Sequence, residues 1–273
     1  MELNKIYCED CINTMSRMED NFIDLTVTSP PYDNLRTYND NIDETWGEDV
    51  WKPIIKELYR VTKKGGVVVW VVGDATIDFC ETLTSFNQAI WGVQCGFNLL
   101  DTMIYAKKSY APAYPNMKRY AQVFEYMFVF SKGKPKVFNA VRVHKKESSI
   151  KSNKQSGGFR QKDGSMKYKK LDSSSIEKDD CNVWLYDTGG GKSTNDYEAY
   201  NHPASFPDKL ARDHIYSWSN EGDIVYDPFM GSGTTAKMAH LLKRKWIGSE
   251  LSQEYVDLAY KRLEPYLTQT TLF

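Results

Sequence analysis

Hydrophobic and polar positions in the first 130 residues alternate between two periods. Residues 24–28 (Asp-Leu-Thr-Val-Thr) form a short β-branched run that predicts a buried strand. Residues 67–72 are a continuous apolar run, the mark of a central parallel strand. Between them Val50, Ile54, Ile55, Leu58 and Val61 recur at helical spacing. They predict a helix over 48–62, closed by Lys63-Lys64-Gly65-Gly66 as a C-terminal cap. The same reading predicts a strand at 4–8, helices at 10–18 and 77–95, and strands at 99–107 and 122–131 that pair as an edge hairpin. Residues 141–201 break the rhythm, being polar and rich in Ser, Gly and Lys. From residue 204 the alternation resumes: helix 210–218, strand 223–226, helix 234–242, strand 245–248, helix 253–266. Strands interleaved with helices predict an α/β fold with a mostly parallel sheet and right-handed crossovers.

Two polar segments interrupt this pattern where strands end. Thr28-Ser29-Pro30-Pro31-Tyr32 follows the 24–28 run. Two prolines in succession fix φ and remove two backbone donors, so neither strand nor ordinary helix continues through them. The carboxyl end of a strand in an open α/β sheet is where ligands bind. A rigid hook there suggests that a hydroxyl, a carbonyl and a ring face are held for chemistry. A stiff loop with a packed tyrosine explains the pentapeptide alone equally well.

The second segment, Tyr226-Asp227-Pro228-Phe229-Met230-Gly231-Ser232-Gly233-Thr234-Thr235, runs from strand to helix. Its glycines permit a tight turn and a close approach to a ligand, at a helix start rich in unpaired N–H groups. Glu250 ends the next predicted strand, 23 residues after Asp227. An acid at that place commonly binds ribose hydroxyls; alone it reads equally as a helix cap. Phosphate motifs do not fit. Gly191-Lys192-Ser193 has Tyr186 where a P-loop needs glycine, and Ala236 occupies the third position of the dinucleotide fingerprint. A ribose-bearing ligand that needs no phosphate contact remains, and S-adenosylmethionine is the candidate.

The 273 residues suffice for one large α/β domain with an insertion. No apolar run approaches the roughly 18 residues of a membrane span, and the N-terminal residues lack the apolar core of a signal peptide. Five irregularly spaced cysteines fit a reducing cytoplasm. Cys8-Glu9-Asp10-Cys11 has metal-like spacing but no second Cys/His pair, so no metal is expected. The net charge of −1 hides an asymmetry. Residues 132–170 carry 13 Lys and Arg against 2 acids, while the remainder carries 22 against 34. A basic block on an acidic body is the footprint of a polyanion binder. A solvated loop that orders on binding is compatible with it.

Together these residues resemble an amino-methyltransferase acting on DNA bases, of the β arrangement in which the catalytic motif precedes the cofactor motif. Ser29, Pro30, Pro31 and Tyr32 match the catalytic Ser-Pro-Pro-Tyr. Asp227, Pro228, Phe229, Gly231, Gly233, Thr234 and Thr235 match the cofactor loop. His202-Pro203-Ala204-Ser205-Phe206-Pro207 resembles the segment flanking the cofactor's methionine end, and Asp10 the acid that meets the adenine amino group. The resemblance covers most of residues 4–131 and 202–265, and the order of the pieces makes it specific. It implies a circularly permuted Rossmann-like methyltransferase: a catalytic half over 1–140, a target-recognition insertion over 141–201, and a cofactor half over 202–273. The strands before Asp227 and at Glu250 would be first and second in the sheet, the N-terminal strand third, and the 24–28 strand fourth. Cofactor and target then meet at the switch point of strand order.

By the same resemblance, Ser29 and the Pro30 carbonyl accept the amine hydrogens of a flipped base while Tyr32 stacks on it. Ser at the first hook position, with Leu35-Arg36-Thr37-Tyr38 after it, favours N4 of cytosine over N6 of adenine. C5 chemistry needs a nucleophilic cysteine after a proline, and none of Cys8, Cys11, Cys80, Cys95 or Cys181 follows one. Duplex DNA is the expected partner, with Arg142, Lys145, Lys146, Lys154 and Arg160 as contacts to phosphate or guanine. Phe159, Tyr168 and Trp184 read either as wedging or stacking residues or as local core. The resemblance also allows a homodimer and a cognate restriction endonuclease, which the residues themselves do not signal. The rivals are a non-catalytic DNA binder, which has no use for hook, loop, Asp10 and Glu250 together, and a methyltransferase of proteins or small amines, which has no need of the basic block.

Overall fold

The computed structural model describes residues 1–31, 46–109, 118–144, 156–170, 176–189, 193–194, 196 and 206–267. In chain order the elements are β1 (Lys5–Cys8), α1 (Cys11–Ser16), β2 (Ile23–Thr28), α2 (Glu48–Val61), β3 (Thr62–Val72), β4 (Thr76–Ile77), β5 (Cys80–Glu81), α3 (Thr84–Gln94), β6 (Asn98–Lys107) and β7 (Phe124–Ser131). There follow β8 (Arg142–His144), β9 (Ser156–Arg160), β10 (Met166–Lys170), β11 (Glu177–Asp179), β12 (Val183–Tyr186), α4 (Asp208–Trp218), β13 (Ile224–Asp227), α5 (Thr234–Leu241), β14 (Lys245–Glu250) and α6 (Gln253–Leu267). Two compact units emerge, one of residues 1–139 with 182–273 and one of residues 140–181.

The larger unit holds an eight-stranded sheet in the order β1-β14-β13-β2-β3-β7-β6-β12. The pairs from β1 through β3 are all parallel, β7 is antiparallel to both of its neighbours, and β12 is parallel to β6. The sheet is therefore mostly parallel, and the four strands expected to meet at the switch point do form one half of it, in the spatial order β1-β14-β13-β2, with the N-terminal strand at the edge and the Asp227 strand beside the 24–28 strand. Helix signals explain the two faces. On one, α1, α2 and α3 bury Met15, Trp51, Ile54, Ile55 and Leu58 against Val68, Trp70, Val72, Phe128 and Phe130. The alternation of β3 and β7 turns their other residues to the opposite face, where α4 brings His214 onto Met127.

Four expectations change. Lys63-Lys64-Gly65-Gly66 does not cap α2, because Thr62 is already extended (ψ 132°) and the strand begins at once. Lys132 draws this segment into pairing: Gly65 N–H donates to the Lys132 carbonyl and Lys132 N–H to that of Gly66. The helix expected over 77–95 starts only at Thr84. Asp78 and Phe79, both at positive φ, make a two-residue turn between β4 and β5, the geometry that right-twisted hairpins favour. Asp74 then supplies the missing start signal from outside the helix, accepting from Ser85 N–H (2.8 Å) and Ser85 Oγ (2.6 Å). The 67–72 strand is parallel to β2 alone, with antiparallel β7 on its other side. Finally, Val183–Tyr186 lies inside the stretch expected as an insertion, yet it pairs with β6 and forms the sheet's edge, displacing the 99–107/122–131 hairpin inward.

The smaller unit contains two antiparallel pairs, β8 with β11 and β9 with β10. Arg142 donates to Asp179 at 2.6 Å across the first pair and lies 4.0 Å from Glu177.

His214 sets a pH limit on the larger unit. Its ring is fully buried, 4.6 Å from the Trp184 ring, and its Nδ1 has no hydrogen-bond partner among the described residues. Burial lowers its pKa to about 3. The fold therefore keeps it neutral, while the unfolded chain takes up a proton below about pH 6.5. Stability from this group is complete above pH 6.5 and is lost as pH falls toward 3. Urea unfolding between pH 7.5 and 5 should show this decline, at up to about 1.4 kcal/mol per pH unit, and His214→Gln should flatten it. Parallel pH profiles for the two proteins would contradict the assignment.

Candidate active site at the strand-order switch

Strand order reverses between β13 and β2, which pair in parallel through Val225 with Leu25 and Tyr226 with Thr26. Both strands end at one level, and their last residues touch: Thr28 Oγ1 donates to Asp227 Oδ1 at 2.6 Å. The Asp227 carboxylate also accepts from Thr235 Oγ1 (2.7 Å) and Phe229 N–H (3.0 Å). Thr235 Oγ1 in turn lies 3.2 Å from the Val27 carbonyl. One side chain thus joins the strand that feeds the proline hook, the turn after β13 and the first residues of α5. Asp227 is 2% exposed, and burial raises its pKa to about 6 against the three hydrogen bonds that favour its anion. Asp227, expected among the cofactor-binding residues, also anchors the loop through these bonds.

The glycine loop is shaped from both sides. Gly233 precedes α5 with φ of 81°, and a Cβ there would sit 2.8 Å from Ala259 Cβ on α6. Glycine is needed twice over at this position, for the left-handed backbone and for the close helix contact. Gly231 N–H donates to Glu250 Oε2 at 2.8 Å, and Ser252 N–H to Oε1 at 3.0 Å. Glu250 ends β14 as expected. Burial raises its pKa, opposed by those N–H groups. Backbone N–H groups of Gly231, Ser252 and Leu251 act on the carboxylate, and its two oxygens together accept about four hydrogen bonds, so it can still receive a hydroxyl from a ribose. This donor set fits the ligand that the sequence suggested.

Other expected site residues lie around this centre. Ser29 and Pro31 are half-buried and Pro30 is buried directly after β2. Asp10 follows β1, which pairs with β14 so that Cys8 lies opposite Glu250, and its carboxylate caps α1 at Ile12 N–H (2.7 Å). Pro228 is buried, as are Thr234 and Thr235. Phe229 packs edge-on against Trp46 at 5.5 Å and Trp70 at 6.1 Å. Phe206 is half-buried and Pro207 forms the N-cap of α4. Tyr32, Lys145, Lys146, Lys154 and residues 202–205 lie outside the described residues. Arg142 is matched by two acids, Arg160 is exposed on β9, and Trp184 is core at 7% exposure.

Pattern reading missed the charged cluster behind the loop. Arg262 on α6, fully buried, donates to the Ser232 carbonyl, to Ser232 Oγ (2.9 Å) and to Thr234 Oγ1 (3.2 Å). It also pairs with Asp196 (3.3 Å) and Asp208 (3.4 Å). Lys237 on α5 meets the same acids at 2.5 and 2.7 Å. Burial opposes the Lys237 charge, yet the two acids hold its pKa above the ordinary value. The available signal was that Lys237 and Arg262 interrupt the apolar faces of their helices.

Comparison with known proteins places these features in context. A DNA methylase family profile of the N6/N4 type matches residues 23–261. Orphan methyltransferase M.BamHII of Bacillus amyloliquefaciens is 53% identical over 249 residues, covering 90% of each chain. The PvuII DNA methyltransferase, described as cytosine-N4-specific, superposes with a TM-score of 0.70 at 21% identity, over 94% of this chain and 85% of that one. An M1.HpyAVI–SAM complex superposes with a TM-score of 0.63 at 22% identity, over 95% and 98%.

Removing Arg262 would leave two half-buried acids facing one buried lysine. Arg262→Met should destabilise the protein by about 3–5 kcal/mol, the cost of breaking a buried ion pair. Arg142→Met, at a half-exposed pair, should cost under about 1 kcal/mol. Chemical denaturation of the two variants checks this, and equal losses would show that the cluster does not bind the loop to α6.

Proposed function

The chain belongs to the N6/N4 family of DNA methylases, and we propose that it methylates the exocyclic N4 amine of a cytosine flipped out of duplex DNA at specific sites, using S-adenosylmethionine. The observation that carries this reading is the Thr28–Asp227 hydrogen bond, which holds the ends of the hook strand and the cofactor-loop strand together. The permuted motif order and the sheet order β14-β13-β2 support it in the same way.

When bound, S-adenosylmethionine supplies an electrophilic methyl on a sulfonium. In this reading Glu250 receives the ribose hydroxyls, Asp10 the adenine amine, and Phe206 and Pro207 flank the methionine end. The Gly231–Thr235 turn brings backbone close to the donor. Ser29 and the Pro30 carbonyl accept the hydrogens of the target amine, whose lone pair is otherwise delocalised into the base. That lets nitrogen pyramidalise and aim its lone pair at the methyl carbon. The N–C bond forms as the S–C bond breaks, the thioether leaves, and the amine proton passes to water. Rigid prolines keep the acceptors in place, so positioning carries much of the rate. Ser29 at the hook's first position supports cytosine, by the resemblance.

Ser29→Ala should lower kcat by about 10²-fold or more while leaving cofactor affinity within about threefold; equal losses in both would contradict the assigned role. Glu250→Ala should do the reverse, raising the cofactor Kd by about tenfold or more in calorimetry. Mass spectrometry of bases in DNA methylated by the protein identifies the target. N4-methylcytosine is expected, and exclusive N6-methyladenine would overturn the choice of base while leaving the geometry in place.

A further inference from the structure

The smaller unit contains two ladders of different electrostatic character, one balanced and one basic. In β8–β11, Arg142 faces Asp179 and Glu177. In the β9–β10 hairpin, residues 156–170 carry five Lys and Arg and a single acid, Asp163. That acid is engaged in the turn, where its Oδ1 accepts from Ser165 N–H (2.9 Å) and Ser165 Oγ (2.7 Å), which lowers its pKa. The hairpin's positive charge is thus uncompensated within itself.

Register divides the hairpin into two faces. Met166 pairs with Arg160 and Tyr168 with Gly158, while Lys167 pairs with Phe159. Directly paired residues share a face and alternate residues return to it. Arg160, Met166 and Tyr168 therefore stand together, with Lys167 opposite. A Cβ at Gly158 would lie 2.7 Å from Met166 Cε and 3.0 Å from Tyr168 Cε1, so both side chains rest on bare backbone at this glycine. Yet Met166 is 50% and Tyr168 66% exposed. A lone two-stranded ribbon is marginal in water, and this one shows large side chains and excess cations to solvent.

We propose that the β9–β10 hairpin is the element that enters the major groove of duplex DNA, with Arg160 and Tyr168 on its base-reading face and Lys167 directed to the phosphates. The major groove is about 12 Å wide and admits a two-stranded ribbon. The charge is complementary to the phosphate backbone. Arg160 is the side chain suited to the paired acceptors of guanine, and the apolar edges of Met166 and Tyr168 suit a thymine methyl. Lys167, a compact charge on the other face, attracts without reading sequence.

The inference rests on the methyltransferase reading above, and its test separates the two. Sequencing modified bases in DNA from cells expressing the protein defines the methylated site; no methylated site would sink the enzyme reading itself. Duplexes of that site and of its single-base variants then serve as substrates. Arg160→Ala and Tyr168→Ala should each lower the ratio of kcat/KM between cognate and substituted duplex by about tenfold or more. Lys167→Ala should weaken all duplexes alike and reduce the salt slope of binding by about one, and it controls for folding of the same two strands. Arg160→Lys, which keeps the charge but not the fork, should lose discrimination as Arg160→Ala does. Unchanged discrimination in both alanine variants, with Lys167→Ala equally silent, would overturn the proposal.

Discussion

The buried carboxylate of Asp227 is the constraint on which the rest of the site depends. It sits where strand order reverses and accepts from Thr28, Thr235 and Phe229, three groups separated by up to 207 positions in the chain. Each donor belongs to a different part of the molecule: the hook strand, the helix after the glycine loop, and the loop itself. Burying a carboxylate is costly, and its raised pKa records that cost. The charge persists in the interior because the surrounding donors are aimed at it.

This arrangement explains how a permuted chain still makes one site. β2 and β13 come from opposite ends of the sequence, yet they pair directly. The loop after β13 is then held on its far side by Arg262 and Lys237, which share Asp196 and Asp208. Asp208 opens α4, and Asp196 lies twelve residues before it. The glycine loop is therefore clamped between a neutral-donor network at the switch point and a charged network against α6.

None of the five cysteines forms a disulfide. Cys11 is buried, and desolvation raises its thiol pKa well above the ordinary value, making it a packing residue rather than a nucleophile. Among the described residues no helix is long and apolar enough to cross a membrane.

The sequence by itself determined the α/β class, the hook, the glycine loop, the acid at the end of β14 and the permuted order of the motifs. Those features rest on local signals: β-branched runs, proline and glycine stereochemistry, and fixed spacing within one strand-loop-helix unit. Tertiary structure alone decided the late start of α3, because its cap comes from Asp74 on a preceding loop. It decided that Lys63–Gly66 is strand, because the partner is Lys132, and that Val183–Tyr186 closes the sheet inside a stretch whose composition resembles an insertion. It also separated Arg142, matched by acids, from Arg160, exposed beside Tyr168. In each of these cases the deciding partner is distant in the chain, and neither periodicity nor composition encodes where a distant partner will stand.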